Sequence, residues 1–282
     1  RVWPGLDDKV LTAWNGLMMA AFAEAGRALD RADYVRIAEE NARFLDQNMR
    51  LEQTPRAEDG RLLRTWKAGS GAKYNAYLED YAYLADGLLA LYQTTFDVRW
   101  FAWAQELTQQ MLNHFQDEEE GGFFDTSDDH EALLYRPKTI QDTATPSGNA
   151  MAVQVLLKNS LYNGDGNYWD TAQETLNGMT AYMSRYPTGF AHWLSAAAFT
   201  LGDPREVAVV GPLDDAGTLE LIRALRSEYR PNLVLAAGEN GDIVPLLAQR
   251  PQVDGKATAY VCRRFVCKAP VSDAQSLLEQ LD

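Results

Sequence analysis

Three polar clusters stand just before or at the start of long apolar helical runs. They are Asp7-Asp8-Lys9 ahead of Trp14-Asn15, Glu79-Asp80-Tyr81, and Arg136-Pro137-Lys138 through Asp142 to Pro146-Ser147-Gly148-Asn149. Carboxylates brought to a shared mouth can serve as general acid and base, the pair that glycoside hydrolysis requires. Asp8 lies seven residues before Asn15 and Asp142 seven before Asn149, so two acids hold the same place in two segments. His192, at the start of the last apolar run, is the best placed of the three histidines for proton transfer; His114 and His130 sit in a polar loop. On this reading Asp8, Asp80, Asp142 and His192 are the candidate catalytic groups. Asp7, Lys9, Trp14, Asn15, Glu79, Tyr81, Arg136, Lys138, Ser147 and Asn149 are the candidate ligand contacts, with Arg136 and Lys138 facing anionic groups and the aromatics stacking on rings. The same residue types carry a plainer reading. Asp and Ser before helices are ordinary N-caps, and Asp beside Lys or Arg is often a structural ion pair. Both stay open at this level.

Other chemistries are excluded. The acidic stretch Asp117–Glu120, Gly121-Gly122-Phe123-Phe124-Asp125 and Asp128-Asp129 lacks the spacing of a calcium loop, and a solvated connection with a small β-hairpin is expected there. Cys262 and Cys267 are five apart, expected on opposite faces of one strand, and match neither a redox C-x-x-C nor a zinc pattern. No phosphate loop or nucleophile elbow occurs, so no cofactor and no metal are expected. A formal net charge of −14 argues against nucleic acid and anionic membranes as partners. No apolar run reaches the roughly 18 residues of a spanning helix. Two cysteines make no disulfide framework, and a cytoplasmic setting is the default. The chain opens on Arg1-Val2-Trp3-Pro4 without an initiator methionine and is expected to be part of a longer parent.

The elements that must position these residues form a repeat. Helical periodicity runs over about Thr12–Leu29 and Ala32–Asn48, then Leu78–Thr94 and Val98–Phe115, then Ser147–Tyr162 and Tyr168–Met183. Asn15, Tyr81 and Asn149 share one register; Tyr34, Trp100 and Tyr168 follow 19 residues later, and Ala38, Ala104 and Ala172 four after those. Periods of 66 and 68 residues exceed tetratricopeptide and armadillo units, which run about 34 to 47. The first helix of each pair is apolar nearly all round and the second is amphipathic, which predicts inner helices covered by outer ones, the (α/α) toroid arrangement. A seventh helix, about Gly189–Leu201, starts a fourth hairpin that is not completed. The fold expected is mainly α, a partial six-hairpin toroid over residues 1–202 with a small α/β segment over 203–282. In that segment Val207–Val210, Leu233–Ala237 and Thr258–Val261 read as strands, and Thr218–Ser227 and Ser272–Leu281 as helices.

Several of these stretches are long and specific: Pro4 through Met18, Leu78-Glu79-Asp80-Tyr81-Ala82, Gly121 through Thr126, Arg136-Pro137-Lys138 with Asp142 and Pro146 through Asn149, and Tyr260-Val261-Cys262 with Cys267 and Pro270-Val271. Together they resemble the C-terminal part of the spermatogenesis-associated, thioredoxin-domain-containing protein family, common in bacteria. The resemblance covers essentially the whole chain. It implies a toroid similar to N-acylglucosamine 2-epimerases and six-hairpin glycosidases, preceded in the parent by a thioredoxin-like domain absent here. The expected function is binding of, or action on, a carbohydrate-type ligand at the inner-helix mouth, by isomerisation or hydrolysis. The alternative is a non-catalytic module that presents client proteins or peptides to the parent's thioredoxin-like domain. The parent's N-terminal domains or a second copy are expected to cover the open edge of the ring.

Overall fold

The computed structural model describes residues 1–51, 60–130, 134–239 and 241–281. Helices α1 (Thr12–Ala28) and α2 (Ala32–Met49) form the first hairpin, α3 (Leu78–Thr95) and α4 (Val98–Phe115) the second. In the third, α5 (Gly148–Asn163) is followed by α6 (Gly166–Gly178) and a short α7 (Thr180–Arg185), so the one helix expected over Tyr168–Met183 divides after Gly178. α8 (Ala191–Leu201) stands alone. The inner helices α1, α3, α5 and α8 pack side by side in that order, and α2, α4 and α6 lie against their own partners.

The repeat register has a packing cause. Ala38, Ala104 and Ala172 are each completely buried, one small residue per outer helix at its contact with the inner layer. α3 and α5 are buried over most of their length, which explains apolar sequence on every face. α1 differs: Trp14 is 62% and Met18 54% exposed, so one apolar flank of the first inner helix meets solvent. α1 and α3 come closest at two glycines. A β-carbon on Gly16 would lie 2.6 Å from the backbone nitrogen of Leu84, and one on Gly87 2.6 Å from the carbonyl oxygen of Gly16.

Two small sheets complete the chain. One is an antiparallel meander of β1 (Val10–Leu11), β2 (Leu63–Lys67) and β3 (Gly71–Asn75), which sequence patterning did not reveal. The hairpin expected in the acidic stretch is instead a tight turn closed by a single bridge, Gln116 to Phe123, with Gly121 and Gly122 at left-handed φ of 74° and 73°. After α8 the chain forms β4 (Arg205–Val210), α9 (Ala216–Arg226) and β5 (Leu233–Gly238), a βαβ unit with β4 and β5 parallel. β6 (Thr258–Arg263) and β7 (Val266–Cys267) add antiparallel, giving the order β5-β4-β6-β7, and α10 (Ala274–Leu281) closes the chain. The placement of Cys262 and Cys267 on one strand is corrected here. A two-residue turn at Arg264-Phe265 puts them on adjacent strands, directly paired and joined as a disulfide. Among the described residues no helix is long and apolar enough to cross a membrane.

Gly16→Ala should lower the free energy of unfolding by about 2 kcal/mol, because backbone overlap outweighs the ~1 kcal/mol gain in helix propensity. Urea titration followed by circular dichroism measures this, and a stabilised variant would contradict the close α1–α3 contact.

Candidate functional site

Parallel inner helices bring their N-terminal ends together, and with them unpaired N–H groups and the positive ends of their dipoles. Two of the candidate acids meet that need in the same way. Asp80 accepts from the backbone N–H of Ala13 in the first turn of α1 (3.0 Å) and of Tyr77 at the cap of α3 (2.9 Å). Asp142 accepts from His192 in the first turn of α8 and Ser147 at the cap of α5, both at 2.8 Å. Each carboxylate therefore ties the cap of one inner helix to the first turn of its neighbour. Asp80 is 1% exposed and also pairs with Arg64, which β2 supplies and which binds Glu79 as well, each contact 2.8 Å. Burial pushes the Asp80 carboxyl up to about 6, against the pull of Arg64 and two N–H donors, so it is ionised at neutral pH.

The register positions fasten the layers. Asn15 receives the Asn41 side-chain amide at 2.7 Å, and the Tyr81 hydroxyl receives the Leu62 N–H at 3.0 Å. Asn149 exchanges two 2.8 Å bonds with the backbone of Phe123, and Ser147 caps α5 through Ala150 at 3.0 Å. Arg136 donates to the carbonyls of His114 and Thr126 and lies over the Phe124 ring; Lys138 donates to the Gly121 carbonyl and pairs with Asp117. Asp7, Asp8 and Lys9 lie in exposed chain, where Asp7 pairs with Lys9 and Asp8 with Lys67. The hydrogen bond from Lys67 holds the Asp8 carboxyl below its usual range. Asp8 thus does not share the role of Asp142 despite its matching position; Asp80 does.

A large hollow lies elsewhere. A cavity of about 790 Å³ runs along the inner helices toward their C-terminal ends, lined by Glu24 and Arg27 of α1, Asp86 and Gln93 of α3, Gln154, Lys158 and Tyr162 of α5, and His192 and Ser195 of α8. Arg226 of α9 and the strand entering β5 close one end. Of the residues singled out by sequence, His192 alone lines it. Lys158 donates to Asp86 at 2.6 Å. Burial works against the Lys158 ammonium, but attraction to Asp86 outweighs it and holds the group above its usual value. Burial pushes the His192 imidazole below the usual histidine value, so it is neutral at pH 7 and can take or give a proton. Arg226, lowered to about 10 by burial, stays charged and donates to the carbonyls of Gln93 and Thr94. Three residues lining this cavity each carry a buried polar atom with no hydrogen-bond partner among the described residues: Nε2 of His192, Oε1 of Gln154 and Nε of Arg226. Asp86, Gln154 and Lys158 escaped sequence reading because each is one polar position inside a long apolar helix. The signal was there, since a charge on an inner helix must face a hollow or a partner. Among the described residues no group of three or more His, Cys, Asp or Glu side chains could hold a metal ion.

No family model matches the chain. The chain is 30% identical over 295 residues to human spermatogenesis-associated protein 20, a match that covers all of this chain and 37% of that protein. It therefore spans little more than a third of the relative's length. The sequence relatives are animal proteins and lend nothing to a bacterial setting. Among solved structures, a sugar epimerase from a ruminal bacterium superposes with a TM-score of 0.50 at 14% identity, covering 71% of this chain and 57% of that one. Cellobiose 2-epimerase from Spirochaeta thermophila gives 0.50 at 12%, covering 61% and 43%. These likenesses establish the α/α toroid fold.

Asp80→Ala removes two helix caps and leaves Arg64 with Glu79 as its remaining carboxylate, and should cost about 2–4 kcal/mol of stability. Asp8→Ala should leave the denaturation midpoint unchanged. Equal midpoints for the two variants would refute the distinction.

Proposed function

For a chain homologous over its whole length to part of the spermatogenesis-associated proteins, and sharing the helical fold of sugar epimerases, we propose that the inner-helix hollow binds a carbohydrate-type ligand and acts on it by acid–base chemistry. The observation that carries this reading is that three residues lining one cavity, His192, Gln154 and Arg226, each hold a buried polar atom without a partner among the described residues. Buried polar atoms are almost always satisfied, so such a set marks a place where water or a ligand completes the bonding. The cavity's volume is in the range of small-ligand sites. Its lining mixes charges of both signs, which suits a neutral, hydroxyl-rich molecule better than a strong anion or cation. Of its three carboxylates, Asp86 is held by Lys158 and Glu228 by Arg230, while Glu24 is exposed. That favours isomerisation with neutral His192 as the proton carrier over hydrolysis by two free acids. Asp142, by holding the His192 N–H, positions the residue.

A second reading is favoured by the exposed Trp14 and Met18 on α1. There the chain serves as a non-catalytic surface for a client peptide, with the remainder of a longer parent or a second copy lying along that flank.

Calorimetric titration of the chain, and of a full-length relative, with a panel of aldoses, N-acylhexosamines and disaccharides tests the first reading. His192→Asn and Asp86→Asn should each weaken binding by about tenfold or more. Binding that needs a neutral imidazole should persist below pH 6.5, the ordinary histidine value, and fail only at more acid pH. Affinity indifferent to both substitutions, or no binding by either protein, would retire it.

A further inference from the structure

The disulfide between Cys262 and Cys267 lies in the small sheet, apart from the hollow. Its two sulfurs sit in different surroundings. Cys262 is 1% exposed, in β6 between β4 and β7; Cys267 is part-exposed, on the two-residue edge strand β7, flanked by the exposed Val266 and Lys268. Nη2 of Arg250 points at both, 3.4 Å from Sγ of Cys267 and 3.7 Å from Sγ of Cys262. Among the described residues no carboxylate forms an ion pair with Arg250. Its Nη1 goes to the Ala248 carbonyl, its Nε is buried without a partner, and its face lies over the Phe265 ring. The titratable groups that sense its charge are Glu206 and Tyr260; each is hydrogen-bonded elsewhere, with Oε1 of Glu206 left buried without a partner among the described residues. Glu206 accepts from the Phe265 N–H at 2.9 Å, and Tyr260 donates to the Pro251 carbonyl at 2.6 Å.

A part-buried guanidinium with no ion-paired carboxylate among the described residues, aimed at two sulfurs, is under-satisfied while those sulfurs are bonded to each other. It gains a charge-assisted partner once either becomes a thiolate. The hairpin does not need the covalent link. Arg264 and Phe265 take positive φ of 49° and 60°, as a two-residue primed turn requires, Glu206 holds the turn from outside, and Lys268 donates to the Val261 carbonyl across the pair. A disulfide spanning five residues also constrains the unfolded chain less than one closing a long loop.

We propose that Cys262–Cys267 is a thiol–disulfide exchange site whose reaction partner is a protein dithiol of the Cys-X-X-Cys class. The incoming thiolate attacks Sγ of Cys267, the accessible sulfur. The Cys262–Cys267 bond breaks, its electron pair passes to Sγ of Cys262, and that thiolate leaves against Arg250. The partner's second thiol then resolves the mixed disulfide and releases Cys267. The chain's disulfide is reduced by two electrons, the dithiol is oxidised to a disulfide, and its two thiol protons end on the cysteines or in solvent. Arg250 is a positioning and charge-stabilising residue.

The test uses the oxidised chain in native buffer with reduced thioredoxin as the dithiol, and counts freed cysteines with a mass-tagging maleimide. Both cysteines should be freed without denaturant. Arg250→Gln should slow the release about tenfold, and Arg250→Lys should recover much of the rate. A thioredoxin variant lacking its resolving cysteine should be trapped on Cys267, a readout on the unaltered chain. Tagging only after denaturation, trapping on Cys262, or an unchanged rate in a folded Arg250→Gln would each overturn the proposal.

Discussion

Four helices laid side by side with their N-terminal ends together concentrate unpaired N–H groups and like-signed dipole ends in a small volume, and something negative must sit among them. Asp80 and Asp142 are that something. Each takes the cap N–H of one inner helix and a first-turn N–H of the next, so each works as a bolt between neighbours as well as a cap. Between the two bolts, α3 meets α5 through the Tyr83 hydroxyl, which donates to the Pro146 carbonyl. The inner wall is thus stitched at one end from α1 to α8 by groups drawn almost wholly from the polar clusters.

That stitching occupies the helix N-terminal end. The end of the ring that the dipoles make attractive to anions is filled by the protein's own carboxylates and by Arg64, delivered by β2. What stays open is the hollow further along the same helices. There each inner helix contributes two or three polar side chains from an otherwise apolar sequence, and the α9–β5 connection lies across one end. Desolvation in that hollow pushes His192 further toward its neutral form beside the paired Asp86 and Lys158.

The C-terminal unit is attached by polar bonds as much as by packing. Gln93 receives the Leu235 N–H and the Tyr162 hydroxyl, and Arg226 closes onto the last carbonyls of α3. Those carbonyls are the orphan acceptors of a helix C-terminus, so the α/β unit completes at one end of the wall what the two aspartates complete at the other. The same unit holds the disulfide, whose turn is braced by Glu206.

Helix positions, the inner and outer assignment and the βαβ segment were legible in the sequence, because they follow from local periodicity and from small residues recurring in register, which need no knowledge of distant partners. Meander β1–β3 was not, since its strands are short and none of their residues is fully buried, so they carry little hydrophobic pattern. Asp8 and Asp142 looked equivalent because spacing records only place along the chain. Asp142 meets α8 and Asp8 meets Lys67, and those partners lie 50 and 59 residues away. Cys262 and Cys267 likewise read as one strand until two residues at positive φ turned the chain between them. Sequence by itself determined which segments are helices and, the exposed flank of α1 apart, which faces are buried, through nearest-neighbour geometry and the aversion of apolar groups for water. Which polar groups meet, and whether they hold helix ends or line the hollow, was decided only by tertiary packing, because a hydrogen bond is a relation between positions that sequence distance does not encode.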